Sequence, residues 1–445
     1  MIGNLLLVLL AVAGGWVAVG AFLRGRYPVW YWLGVGYPVT VARMYWHWRA
    51  LCMQRGLTGP AMANRLFLGG YSVQAQAVRP PVPRLIVGRP MRDGLGARVL
   101  MLAGQEVGEY AKCSGAMEQI WRVHTVRVSN PQRRWVELRV YHADPIPGVV
   151  VRDPHAPDPP PDPSQRPYKG MSLAPVVGVR EDGTLWVIDL RRVAHLMIVG
   201  ITQSGKSTLL HALVVALAPL PVALVGIDLK GGLELSLYGP RLSGLAVDKK
   251  EAADLLDELL ALAQERMAAC RAAGVQSVWS LPVVPPPVLV LVDEVAELYL
   301  HADSSGKALR DRCASGLLRL AQIGAALGFH VIVSGQRIGS DLGPGVTALR
   351  AQLGGRVCHR VADEETAKMT LGDVAPDAVQ VALMLTAAQQ GFAVATDDAG
   401  GWSRVRSALT SAEQAAGAAA RYAPLTPALP GITRPGAAGG GLAWW

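Results

Sequence analysis

The chain has 445 residues, a formal net charge of +9 and five cysteines. That length exceeds one ordinary domain, and the positive balance suits a polyanion or an anionic surface as partner. The cysteines (Cys52, Cys113, Cys270, Cys313, Cys358) stand far apart without a C-x-x-C pair, which excludes a disulfide framework or a zinc site, and no Ser-His-Asp elbow or H-E-x-x-H run is present.

Ile2 to Leu23 carries no charged residue and is long enough, at about 20 residues, to cross a bilayer. Arg24 and Arg26 follow at once while no basic residue precedes, so the positive-inside rule puts the downstream chain in the cytoplasm. The lack of a basic n-region argues against a secretory signal. Tyr27 to Ala42, aromatic and interrupted by Pro28 and Pro38, is expected as an interfacial belt, with a short second crossing as the alternative. Residues 1–56 are thus read as an anchor in the cell membrane, with one span or two.

From 80 to 150 the texture is that of a small α+β domain. Leu85–Val87 and Ala97–Leu102 read as strands, Glu106–Arg122 as an amphipathic helix, and His124–Val128 with Trp135–Tyr141 as a hairpin around Ser129-Asn130-Pro131. A proline-rich linker over 151–172 (PDPPPDPSQRP at its centre) marks a boundary.

The segment 173–406 alternates strands with helices, which predicts a parallel sheet covered on both faces. Pro175–Arg180 and Leu185–Asp189 form a hairpin, Leu196–Val199 is a buried strand, Val222–Ile227 closed by Asp228-Leu229-Lys230 is another, and Glu251–Ala273 is a helix with leucines along one side. Beyond Arg406, residues 407–445 show one alanine-rich helix, Ser411–Tyr422, and then a flexible Pro- and Gly-rich tail.

Within that segment, Gly200-Ile201-Thr202-Gln203-Ser204-Gly205-Lys206-Ser207 fits G-x-x-x-x-G-K-[ST], with a strand before it and an apolar helix from Thr208 after it. Glycines let successive N–H groups turn inward around an anion, backed by the positive end of the helix. Lys206 is the candidate for the β- and γ-phosphates of ATP, and the Ser207 hydroxyl for Mg²⁺. The apolar run Val288–Val292 ends in Asp293-Glu294, where Asp293 would hold Mg²⁺ and Glu294 would orient or deprotonate the attacking water. A third strand, His330–Ser334, ends in Gly335-Gln336-Arg337, and Gln336 is placed to sense the γ-phosphate.

In order, PVVGV, HLMIVGITQSGKST, GIDLKGGLELS, RAAGVQSV, VLVLVDEVAEL, LLRLAQIGAALGFHVIVSGQR and GGRVCHRVADEETAKMTLGD span Pro175 to Thr396. Together they resemble the FtsK/SpoIIIE family of DNA-translocating ATPases, and within it the plasmid-transfer (TraB/TraSA-like) proteins of mycelial actinobacteria. The resemblance implies a RecA-like P-loop NTPase core forming a hexameric ring around double-stranded DNA. It also implies ATP between subunits and an arginine supplied in trans, for which Arg356, Arg360 and Arg337 are the candidates by position. The loop Arg337–Arg350 is the candidate to reach the channel. Two features depart from the family: Ile323-Gly324-Ala325-Ala326 stands where a basic run is common, and too little follows Arg406 for a winged-helix DNA reader. Sequence-guided loading would then need a separate DNA-loading or membrane partner protein. The function implied is a membrane-anchored DNA motor for transfer of a plasmid or integrative element. Polypeptide export, chromosome segregation and a nucleotide-binding membrane scaffold are the rival readings of the same residues.

Overall fold

The computed structural model describes residues 24–59, 67–68, 71–72, 79–146, 172–300, 304–372, 376–397 and 401–435. The expected span Ile2–Leu23 and the proline-rich linker around Pro157–Pro167 lie outside them. The chain divides into two compact units, Met1–Pro145 and Ile146–Trp445.

In the first unit, helix α1 (Pro28–Tyr31) runs through a π turn at Trp32–Gly36 into α2 (Tyr37–Gln54). A four-stranded antiparallel sheet follows, built from β1 (Arg84–Pro90), β2 (Gly94–Leu100), β3 (Thr125–Gln132) and β4 (Trp135–Tyr141) in the order β1-β2-β4-β3. The stretch read as one helix over Glu106–Arg122 is two, α3 (Val107–Ala111) and α4 (Ser114–Trp121), which break between Lys112 and Cys113.

The alternative of a second crossing over Tyr27–Ala42 needs correction, since no described helix is long and apolar enough to cross a membrane. Two of its aromatic residues act as anchors on the sheet, with Trp32 Nε1 donating to Met91 O at 2.9 Å and the Tyr37 hydroxyl to Gly88 O at 2.8 Å, while Tyr27 and Trp30 stay exposed; further along α2, Trp48 Nε1 donates to Pro83 O at 2.7 Å. Trp32, Met44, Trp48, Leu51 and Cys52 then bury their apolar bodies with Leu95, Val99, Trp121, Val136 and Leu138. Trp suits this place because it offers a large apolar surface with one donor at its rim. The anchor segment 1–56 and the small domain are therefore one folded unit from Trp32 onward. Among the described residues, no helix is long and apolar enough to cross a membrane.

The second unit is a mixed α/β layer structure around a ten-stranded sheet among the described residues. Its strands are β5 (Val176–Arg180), β6 (Leu185–Val187), β7 (Leu196–Val199), β8 (Ala223–Ile227), β9 (Leu242–Ala246), β10 (Val288–Val292), β11 (Phe329–Gly335), β12 (Gly355–Cys358), β13 (Phe392–Thr396) and β14 (Trp402–Ser407). They run in the order β9-β8-β10-β11-β7-β12-β13-β14-β5-β6. The strands from β9 to β12 pair in parallel, as the alternation predicts, but β13, β14, β5 and β6 extend the sheet in antiparallel fashion. Short turns join β13 to β14 and β5 to β6 as hairpins, whereas the antiparallel step from β12 to β13 is made through two helices, Glu364–Leu371 and Pro376–Leu383.

The sheet core separates by strand alternation. Met197 and Val199 of β7 face the layer made by α6 (Lys249–Ala272) and α8 (Ser304–Leu327), and Leu196 and Ile198 face the layer of α5 (Lys206–Leu217). The C-terminal segment also needs correction. Helix α12 (Ala412–Arg421), opened by a Ser411–Gln414 capping box, buries Ala415 and Ala419 in the same cluster as Leu209, Leu213 and Leu217 of α5. Beyond it, Leu429 is buried, Ser243 Oγ donates to Pro427 O at 2.7 Å and Arg434 donates to Thr426 O. As far as residue 435 the tail is docked onto the motor unit, because its few apolar residues find an apolar seat.

Candidate nucleotide site

β7 delivers the chain to the end of the sheet, where it must turn back sharply into α5. Gln203 (φ 60°) and Gly205 (φ 114°) adopt left-handed conformations to make that turn, and Gly205 caps α5. Gly200 has no room for a side chain, since a Cβ there would lie 2.5 Å from Ser204 Oγ and 2.7 Å from His359 Cβ. The loop is tied from below: Ile201 N–H donates to Arg360 O at 3.0 Å, and Gly391 N–H donates to Ser204 O at 3.0 Å.

Because β8, β10, β11 and β7 are parallel neighbours, their C-terminal ends converge on one cleft. Ile201, Thr202, Gln203, Gly205, Lys206, Ser207, Thr208, Asp293, Glu294 and Gln336 line it, together with Lys230, Glu234 and Gln390. Gly200 and Ser204 form the floor of the loop and do not line the cleft. Lys206 Nζ donates to Gly200 O at 2.5 Å and Ile201 O at 3.2 Å. Burial pulls its pKa below the usual lysine range, against the attraction of Glu294 and Asp293.

Burial likewise raises the pKa values of both carboxyls. For Asp293 the opposing influence is Lys230, whose Nζ is 3.4 Å from Oδ2. For Glu294 the opposing influences are Lys230, Lys206 and the backbone N–H of Gln336 and Ala296. Glu294 Oε1 is buried without a hydrogen-bond partner, which is costly unless a ligand or water supplies one. The cleft thus presents a glycine-rich cradle, two ammonium groups, three hydroxyls and three carboxylates: a donor set that fits a nucleoside triphosphate with a divalent cation.

Lys230, Glu234 and Gln390 have no part in the P-loop and Asp-Glu motifs. Lys230 sits just past the end of β8, beside the Asp293 strand, and a lysine at that end of a neighbouring parallel strand was the available signal. The three arginines lie outside the cleft lining. Arg337 pairs with Glu365 at 3.1 Å and Asp341 at 3.6 Å, and Arg356 Nη1 donates to Thr370 O at 3.2 Å. Arg360 accepts a hydrogen bond from the P-loop's Ile201 N–H through its carbonyl.

Fold and site are those of a P-loop ATPase. Residues 18–142 match the family described as actinomycete conjugal transfer protein N-terminal domain, and residues 168–282 and 279–340 match the FtsK/SpoIIIE family. A Streptomyces ambofaciens protein described as transfer protein TraSA is 38% identical over 391 residues, covering 85% of this chain and 91% of the relative. A Streptomyces azureus protein described as a sporulation regulatory protein is 47% identical over 243 residues, 54% of this chain and 80% of its own. In fold, the chain is similar to the conjugation coupling protein TcpA, solved in monomer form with ATPγS, with a TM-score of 0.51 at 18% identity over 75% of this chain and 91% of that one. The chain belongs to the TraSA family of actinomycete conjugal transfer proteins, whose motor half is of the FtsK/SpoIIIE type.

Proposed function

We propose that this protein is an ATP-driven motor that moves double-stranded DNA during conjugal transfer, working at the cell membrane as a ring of RecA-like subunits. The observation that carries the reading is the meeting of Lys206, Asp293 and Glu294 in one cleft at the end of a parallel sheet, in a chain of this family. In the proposed mechanism Lys206 leaves the Gly200 and Ile201 carbonyls for the β- and γ-phosphates. Ser207 and Asp293 would hold Mg²⁺, which supplies charge neutralisation for the departing phosphate. Glu294, with its unpartnered oxygen, orients and deprotonates water, and Gln336 reads the γ-phosphate from the end of β11.

Of the three arginines, Arg337 and Arg356 are engaged within their own subunit. Arg360 is therefore assigned to a neighbouring subunit's nucleotide, and Arg360→Ala should depress hydrolysis when mixed into wild-type rings. Membrane attachment is supported by charge and surface. The first 92 residues hold ten arginines and no acid, and α2 exposes Val39, Trp46 and Met53 at a spacing of seven, with Trp46 83% exposed. The deciding experiment is ATP hydrolysis by the full chain with and without double-stranded DNA. Stimulation by DNA of any sequence supports the motor; hydrolysis indifferent to DNA would overturn it.

A further inference from the structure

The cleft contains a cation that the P-loop does not supply. Lys230 Nζ is 3.4 Å from Asp293 Oδ2, the carboxylate assigned to the divalent cation, and the side chains are 44% and 10% exposed. Glu294 attracts the same ammonium, and burial of Lys230 is outweighed by the two acids.

The backbone around Lys230 is built to hold its base fixed and leave its tip free. Asp228, fully buried, accepts hydrogen bonds from the backbone N–H of Lys230 at 3.1 Å, Glu234 at 2.8 Å and Leu235 at 3.0 Å. Between these anchors, Gly231 (φ 75°) and Gly232 (φ 77°) make a left-handed turn, and Leu233 at its tip is 82% exposed. A side chain that is rigid at its root and half exposed at its end can change partners without disturbing the strand.

We infer that Lys230 is a positioning residue that occupies the Asp293 carboxylate while the cleft is empty and is displaced from it when a divalent cation arrives with nucleotide. Two charges of the same sign cannot share that carboxylate without a Coulomb penalty, so cation entry and Lys230 release are coupled. The freed ammonium stays in the cleft, because its root remains held by Asp228. The inference rests on the nucleotide-site reading above.

The test uses the full chain and a fluorescent ADP, titrated with Mg²⁺ at fixed nucleotide. ADP is chosen so that no γ-phosphate contact by Lys230 enters the result. Lys230→Met should reach half-saturation at about two- to fivefold less Mg²⁺ than wild type, the range that loss of one half-exposed competing ion pair allows. Lys230→Arg should restore the wild-type midpoint. Amide exchange at Lys230, Glu234 and Leu235, whose N–H groups Asp228 holds, should be the same in wild type and Lys230→Met, which shows that the shift in midpoint comes from the ammonium and not from a loosened strand end. An unchanged Mg²⁺ midpoint in Lys230→Met would overturn the inference. Wild type that binds ADP with no dependence on Mg²⁺ would instead overturn the underlying site reading.

Discussion

Gly391 lies directly beneath Gly205. Its Cα and amide nitrogen are each 2.6 Å from where a Gly205 side chain would begin, and its N–H donates to Ser204 O. The phosphate loop therefore rests on backbone that arrives with β13, 186 residues later in the chain (391 − 205). Gly205→Ala combines a left-handed φ with a backbone clash, a strain of about 1–3 kcal/mol. It should abolish the thermal stabilisation that Mg·ATP confers on wild type, measured by differential scanning fluorimetry; a normal ligand-induced shift would contradict the packing described.

Lys206→Ala and Glu294→Gln should separate binding from chemistry. The first removes the ammonium that meets the phosphates and should lose both nucleotide binding and hydrolysis. The second keeps shape and neutralises one acid, so it should hold ATP yet hydrolyse it at least about 100-fold more slowly. Equilibrium binding and phosphate release on the same preparations give the comparison. Full hydrolysis by Glu294→Gln would remove that residue from its assigned role.

Three histidines make the motor unit sensitive to acid. His195, His330 and His359 have pKa values pushed down to about 4 by burial, and their ring nitrogens are engaged with backbone: Val331 N–H, Ala194 O and Phe392 O respectively. They are neutral in the fold but protonate near 6.5 in the unfolded chain. The stability they contribute is fully present above pH 6.5 and is lost as pH falls toward 4, at about 1.4 kcal/mol per pH unit for each. The melting temperature should fall steeply between pH 6.5 and 4, and His330→Gln should flatten that slope. A pH-independent melting temperature over this range would refute the account.

Arg241 is fully buried and donates to three main-chain carbonyls: Ala218 O at 3.0 Å, Val222 O at 3.0 Å and Leu220 O at 2.5 Å. The segment it clasps contains Pro219 and Pro221, which have no N–H for a helix or strand partner. Arg241→Met would strand those carbonyls without water, a cost of about 3 kcal/mol. The motor unit's melting temperature should drop by roughly 6–12 °C; a shift under 2 °C would mean the carbonyls find other donors.

How far these features could be read in advance depends on whether their parts are contiguous. The P-loop and Asp293-Glu294 each lie in one short run, with the strand that aims them written beside them, and so were legible. Lys230, Gln390 and Gly391 enter the site through strand order, which no local pattern encodes. His359 was equally hidden, because a histidine under the loop has no motif. The aromatic run around Trp32 reads alike as a membrane belt or a sheet anchor, since both want an apolar body with a polar rim. The docking of 407–435 escaped because alanine and proline carry little periodic signal, while the seat that receives them is built from β9 and α5.

The placement of β7 has a consequence for the order in which a ribosome can deliver this machine. Its hydrogen-bonding neighbours are β11 and β12, residues 329–335 and 355–358, and the hairpin that precedes it pairs with β14, residues 402–407. The four apolar residues of β7 therefore wait, after synthesis, for more than a hundred further residues before either side of the strand is covered. Such long-range closure is slow and leaves nascent chains prone to association. Yield in a foreign host should thus depend on chaperone supply and translation speed more than on the stability of the finished fold.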